Sequence, residues 1–230
     1  IGNTSDSVID NPTLTVDYVV PGVDSVSVPP AASYKAGRNI DFAIDFSENV
    51  YVTNGTPYIQ VELETGGTVN ATYTSGSGTS SLVFRYTVSP GDQDLNGIEI
   101  TSDGISLNDG IIRDTAGNDA NLELINVEDT AGILVDTTSP RVLGVSVPAA
   151  ATYPSGQNLD FVVIFHENVV VDLENGTPSL SLGISSAGIV NASYISGSGT
   201  SVLTFRYTTQ PGDWDGDGIT IGEDIVLNSS

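Results

Sequence analysis

The sequence predicts an all-β protein made of two tandem copies of one β-sandwich unit, and three observations carry that prediction. The apolar residues are mostly Val, Ile and Leu, with Thr and Ser filling much of the rest, a mixture that suits pleated sheet better than helix. Apolar and polar positions alternate at period two along several stretches, and no stretch repeats at helical spacing. The chain is also written nearly twice. Asn39-Ile-Asp-Phe-Ala-Ile-Asp-Phe-Ser-Glu-Asn-Val50 returns as Asn158-Leu-Asp-Phe-Val-Val-Ile-Phe-His-Glu-Asn-Val169. Ser75-Gly-Ser-Gly-Thr79 and Phe84-Arg-Tyr-Thr87 return as Ser196-Gly-Ser-Gly-Thr200 and Phe205-Arg-Tyr-Thr208. Roughly half the aligned positions are identical, and the second copy carries Leu173 and Glu174 as an insertion.

Each element follows from local pattern. Ile40, Phe42, Ile44 and Phe46 alternate with Asn39, Asp41, Ala43 and Asp45, the mark of a half-buried strand. The same alternation runs through Ile59, Val61 and Leu63, through Val69, Ala71 and Tyr73, and through Leu82, Phe84, Tyr86 and Val88. Shorter apolar pieces follow at 98–100, 122–125 and 133–135. Between them lie clusters of Gly, Asn, Asp, Ser and Pro, the residues that tolerate turn geometry. Ser-Gly-Ser-Gly-Thr has the glycine content of a phosphate loop but no lysine and no following helix, so it reads as a hairpin turn. Seven or more short strands per unit predict an immunoglobulin-like β-sandwich.

Val16-Asp17 before Pro21 and Val135-Asp136 before Pro140 mark the unit boundaries, giving unit 1 over 21–140 and unit 2 over 141–230. Residues 1–20 read as the tail of a preceding unit, because Leu14-Thr-Val-Asp17 aligns with Ile133-Leu-Val-Asp136 and Gly2-Asn3 with Gly117-Asn118. Unit 2 has no counterpart in this sequence to roughly 111–140 of unit 1. The expectation is that the tail of one molecule completes unit 2 of the next. Such strand donation is head to tail and builds open filaments. The alternative is a piece of a longer array; Ile1 at the start reads as a processed or excised segment.

Six basic residues face 29 acidic ones, a formal charge of −23. That excludes nucleic acid as a partner and fits bound cations or a salty medium, against the alternative of a merely solvated acidic surface. The absence of cysteine excludes disulfides and thiolate metal sites and leaves the redox compartment open. No apolar run approaches the roughly 20 residues that span a bilayer.

The acids cluster in loops. Asp92-Gln-Asp94-Leu-Asn96-Gly97 returns as Asp213-Trp-Asp215-Gly-Asp217-Gly218. Alternate oxygen side chains followed by a glycine fit the start of a calcium loop. Asp103 and Asp224 fall at the twelfth position, where a shorter carboxylate replaces the usual Glu. Ile98 and Ile100 read as a strand, so this is not a helix-loop-helix. The competing reading is a polar Asp/Gly turn without metal. Asp114-Thr-Ala-Gly-Asn118 is a second polar loop, present once in full. Glu48 and Glu167, at strand ends, can form a further site at each domain junction with Asp17 and Asp136; turn capping is the alternative. His166 is the only histidine and its partner is Ser47, which argues against zinc or catalysis. Trp214 can stack on a sugar, but its counterpart is Gln93. Asn54, Asn70, Asn175 and Asn191 begin glycosylation sequons, as do Asn3 and Asn228, although such triplets arise by chance in a chain rich in Asn, Ser and Thr.

From Val23 onward these strings, with Ser-Val-Ser-Val-Pro, Asp-x-Ala-Gly-Asn and Val-Asp-Thr-Thr-Ser-Pro, resemble the bacterial immunoglobulin-like or cadherin-like repeat of giant extracellular adhesins and surface-motility proteins. The resemblance implies a calcium-stiffened extracellular spacer, with calcium shared by carboxylates of neighbouring domains. Glu48, Asp92, Asp94, Asn96, Asp114, Asn118 and Asp136 match the acidic motif residues of such repeats. The function expected is an adhesin stalk or a biofilm-type surface filament. Its partners are copies of itself, and cell-surface glycans or neighbouring cells. A carbohydrate-binding module built on Trp214 is the alternative. No His–nucleophile pair or catalytic carboxylate pair stands out, so no enzyme is expected.

Overall fold

The computed structural model describes residues 16–100 and 104–227. Among the described residues there is no helix; the elements are strands joined by turns. The chain divides into two units, Ile1–Thr138 and Ser139–Ser230. Unit 1 carries β1 (Val23–Ser27), β2 (Ala32–Tyr34), β3 (Asn39–Thr53), β4 (Tyr58–Leu63), β5 (Gly67–Ser75), β6 (Thr79–Thr87), β7 (Gln93–Asp94), β8 (Glu99–Ile100), β9 (Ile111–Arg113) and β10 (Ile133–Asp136). Unit 2 carries β11 (Val142–Ser146), β12 (Asn158–Val169), β13 (Ser179–Ile184), β14 (Gly188–Ser196), β15 (Thr200–Thr208) and β16 (Thr220–Val226).

The main sheet of unit 1 has the order β1-β3-β6-β5-β4-β8, with β9 pairing with the last three residues of β3. That of unit 2 is β11-β12-β15-β14-β13-β16, the same order strand for strand. Every neighbouring pair in these sheets is antiparallel. Unit 1 adds a small sheet, β2-β10-β7, in which β10 runs parallel to β2 and antiparallel to β7. No such layer exists among the described residues of unit 2.

The repeated strings encode cross-strand pairs. Asp41 lies opposite Arg85, and the guanidinium donates two parallel bonds to the carboxylate at 2.6 and 2.7 Å. Asp160 and Arg206 repeat both distances; the bonds raise Arg85 and Arg206 and lower Asp160, in favour of the charged forms. Because side chains alternate, the next residue, Tyr86 or Tyr207, turns into the core. Phe42, Phe84, Ile40, Ile44 and Leu82 fill that core in unit 1; Leu159, Phe161, Leu203 and Phe205 do so in unit 2. Ser-Gly-Ser-Gly-Thr is the β5–β6 hairpin, as expected. Gly76 has φ of 110°, and a Cβ there would strike the Ser81 carbonyl, so the turn admits only glycine; Gly197 repeats this against Val202.

Candidate metal centre

Three segments of unit 1 bring carboxylates together. β3 leaves its register with β6 between Asp45 and Val50. Such a bulge re-aims side chains, and it releases Glu48 from the ladder. β9 pairs antiparallel with Tyr51–Thr53, so the residue after it, Asp114, falls beside Val50, two residues along β3 from Glu48. The segment leading into β1 supplies Asp17. One oxygen from each of Asp17, Glu48 and Asp114 lies within 4.8 Å of the others.

The loop after β9 is built to hold this arrangement. Asp114 Oδ1 accepts the N–H groups of Gly117 and Asn118 at 2.6 and 2.8 Å. Its Oδ2 accepts the Asn118 amide at 2.7 Å. Gly117 takes φ of 98° to close the loop. The same Asn118 amide reaches the carbonyls of Asp17 and Val19, at 3.3 and 3.1 Å, so one side chain ties the leading segment to the loop. Asp17 in turn accepts Val19 N–H at 2.9 Å.

The electrostatics are uneven. Burial raises the Asp114 carboxyl, but the bonds from the Asn118 side chain and from the N–H groups of Asn118, Gly117 and Ala116 outweigh it and hold it below its ordinary range. Glu48 is pushed up by burial first, then by the charges of Asp17 and Asp114. Its Oε1 is buried with no hydrogen-bond partner. A buried, unpartnered carboxylate oxygen beside two further carboxylates is costly unless a cation neutralises it. The group could hold a metal ion. Oxygens within 4.8 Å of one another are close enough to share one ion.

The other candidate ligands have different surroundings. Asp92 is buried and accepts the Tyr86 hydroxyl and Ser89 N–H, the latter at 2.7 Å. Asp94 is buried and accepts Glu64 N–H at 3.2 Å, Gly97 N–H at 2.8 Å and Asn96 N–H at 3.3 Å. Asp213 accepts Tyr207 and Gln210 N–H, each at 2.6 Å. Asp215 accepts Ser185 N–H at 2.9 Å and Gly218 N–H at 2.6 Å, and is lowered by the Ser185 bond first. Asp217 lies 3.1 Å from the Ser185 hydroxyl. Burial and the Asp partner push Tyr86 and Tyr207 up to about 12. In both copies the Asp-x-Asp loop therefore clamps a core tyrosine and the end of a neighbouring strand. Asp136 caps Thr138 N–H at 2.9 Å, as Asp17 caps Val19. Glu167 Oε1 is buried without a hydrogen-bond partner, 3.5 Å from His166 Nε2. Asp224 is exposed on β16, and Asp103, like Asn3 and Asn228, lies outside the described residues. Asn54, Asn70, Asn175 and Asn191 are all exposed.

Compared with known protein families and curated proteins, the chain matches no family model and no curated sequence. No helix among the described residues is long and apolar enough to cross a membrane.

Two roles were hidden in the sequence. Ser47 Oγ accepts Gly22 N–H at 3.1 Å, and His166 Nδ1 accepts Arg141 N–H at 3.2 Å. These paired positions do one job, anchoring the start of the first strand to the long strand. The signal was the alignment of Gly22 with Arg141 and of Ser47 with His166. The joining of Asp114 to Asp17 and Glu48 was the other; the two loops were legible separately, but their meeting depends on β9 pairing with β3.

Proposed function

We propose that the chain is an extracellular calcium-binding structural module. Its tandem immunoglobulin-like, cadherin-like β-sandwich repeats act as an adhesin stalk or as the subunit of a head-to-tail surface filament built by strand donation. The observation that carries this reading is the meeting of Asp17, Glu48 and Asp114, with Glu48 Oε1 buried and unpartnered. Calcium there joins the leading segment to the body of unit 1 and so stiffens the point where a preceding unit connects. The charge of −23 favours a medium rich in cations. The role is structural, and the sole histidine is engaged by a backbone N–H.

Thermal unfolding with calcium and with chelator tests it. Calcium at about 100 times its Kd adds about 2.7 kcal/mol, a Tm rise on the order of 10 °C for such a unit. Glu48→Gln removes that increment and Asp92→Asn keeps it. An increment that survives Glu48→Gln and vanishes in Asp92→Asn contradicts the assignment.

A carbohydrate-binding reading has one observation in its favour: Trp214 is 68% exposed and lines a groove of unit 2. A Trp214→Ala chain that keeps any glycan affinity removes that support.

A further inference from the structure

The groove beside Trp214 has a filled counterpart in unit 1. There, β10 lies between β2 and β7, pairing Ile133 with Ala32, Leu134 with Ser33, Val135 with both Tyr34 and Asp94, and Asp136 with Gln93. Ile133 and Val135 are buried in the core. Ile98 N–H donates to the Ile133 carbonyl at 3.2 Å, and Thr137 Oγ1 donates to the Asp92 carbonyl at 2.9 Å. A Cβ on Gly97 would collide with the backbone of Ala131. In unit 2 the matching positions enclose an open groove of about 370 Å³, lined by Tyr153, Leu159, Phe161, Ile184, Trp214 and Ile221 among others. Gly218, the counterpart of Gly97, has nothing within 4 Å of its Cβ position. The positions that β10 fills in unit 1 thus frame an open groove in unit 2 among the described residues.

We propose that this groove is a strand-acceptor site and that its occupant is Leu14-Thr-Val-Asp17 of a second copy of the chain. The inference rests on the head-to-tail reading above and gives it a site, a register and a polarity. The donor segment has the β10 pattern, apolar-x-Val-Asp, which puts two apolar side chains into the core and an aspartate at the rim. Carrying the β10 register across, Leu14 pairs with Ala151, Thr15 with Thr152 and Val16 with Tyr153, in parallel. On the other side Val16 pairs with Asp215 and Asp17 with Trp214, antiparallel. Val16, the described apolar residue of this segment, is exposed. The aspartate keeps its own turn in the filled case, since Asp136 caps Thr138 while its backbone pairs with Gln93. Asp17 can therefore pair through its backbone with the acceptor while its carboxylate stays in its own cation cluster. Only five residues separate Asp17 from Val23, about 20 Å of fully extended chain, so donor unit 1 must follow acceptor unit 2 closely. Main-chain pairing supplies affinity and the two apolar pockets supply selectivity.

Trp214, the single tryptophan, reports on the groove directly. The test uses the full chain carrying Leu14→Asp and Val16→Asp, which cannot donate, with a synthetic peptide of residues 10–20 as the probe. The peptide is expected to shift Trp214 emission to the blue and saturate at one per chain. A peptide with the same two substitutions leaves emission unchanged. In sedimentation the unsubstituted chain grows with concentration, and the doubly substituted chain stays monomeric. Absence of any emission change with the peptide overturns the acceptor site. An unsubstituted chain that stays monomeric at concentrations where the peptide saturates overturns the second copy as occupant. Calcium binding by the doubly substituted chain, measured alongside by calorimetry, keeps the readings apart. Its absence sinks the cation reading and leaves a positive peptide result standing, and its presence without a peptide response overturns the acceptor site alone.

Discussion

Units 1 and 2 share one sheet order but bury its inner face differently. Val23 and Val26 on β1 are 5% and 0% exposed, whereas their counterparts Val142 and Val145 on β11 are 47% and 38% exposed. In unit 1 that edge is covered by residues beyond the main sheet: Gly22 bridges Asn121, Val26 bridges Val127, and Glu128 Oε2 accepts Val28 N–H at 3.0 Å. The sheet alone specifies the pairing, and the covering segment converts a half-wet face into a core. Since stability follows apolar area removed from water, unit 2 as described is the weaker partner and the one with surface to offer.

The largest expected effect is on the core phenylalanines. Phe84→Ala and Phe205→Ala each remove a fully buried ring and cost about 3–5 kcal/mol. The account predicts that unit 1 survives its loss and unit 2 unfolds. Far-UV circular dichroism follows both units, and Trp214 fluorescence follows unit 2. Equal midpoints for the two variants would break the comparison. Next come the paired glycines. Gly97 and Gly218 share φ near 106° and 105°, so an alanine costs about 1–3 kcal/mol of backbone strain at either. Only Gly97→Ala also collides with Ala131, so it should cost clearly more in denaturant titrations. Equal costs would mean that the β10 layer does not press on this turn.

Smaller and sharper is the alkaline limb. Tyr86 and Tyr207 have folded pKa values of about 12 against an ordinary 10. The folded state holds the phenol proton more tightly, so their stability contribution is complete below pH 10 and is lost as pH rises from 10 to 12. Tyr86→Phe and Tyr207→Phe should flatten that loss in their own units, as read by melts across pH 9–12. In the absence of calcium the smallest effect is at Glu48, whose folded pKa lies above 4.5. In chelator its contribution is present below pH 4.5 and lost as pH rises through the raised value, so Glu48→Gln should stabilise unit 1 at neutral pH. In calcium the sign reverses, because the ion binds the carboxylate. A variant with the same sign in both buffers removes the cation from the account.

Much of the fold was legible because a strand with one buried face writes itself at period two: Ile40, Phe42, Ile44 and Phe46 are all buried as their spacing predicts. The Ser-Gly-Ser-Gly-Thr hairpin was legible from its glycines. The Asp-x-Asp loops were legible as loops but not in detail. An oxygen side chain, a second one two residues on and a glycine suit a calcium loop and a side-chain-capped turn equally, and only tertiary partners such as Tyr86 and Glu64 reveal where the oxygens go. The sequence pairs Asp17 with Glu48 as a junction site. It does not join Asp114 to them, because the place of Asp114 depends on the β3–β9 pairing, a contact between residues some sixty apart in sequence. The groove was anticipated only as missing strands; its lining by Trp214 was not, since the matching Gln93 in unit 1 gives no hint of it.

The most direct test is anomalous diffraction from crystals grown in calcium. The account predicts a peak about 2.3–2.6 Å from carboxylate oxygens of Asp17, Glu48 and Asp114. A map with no peak there, or with calcium only among Asp92, Asp94 and Asn96, would contradict it.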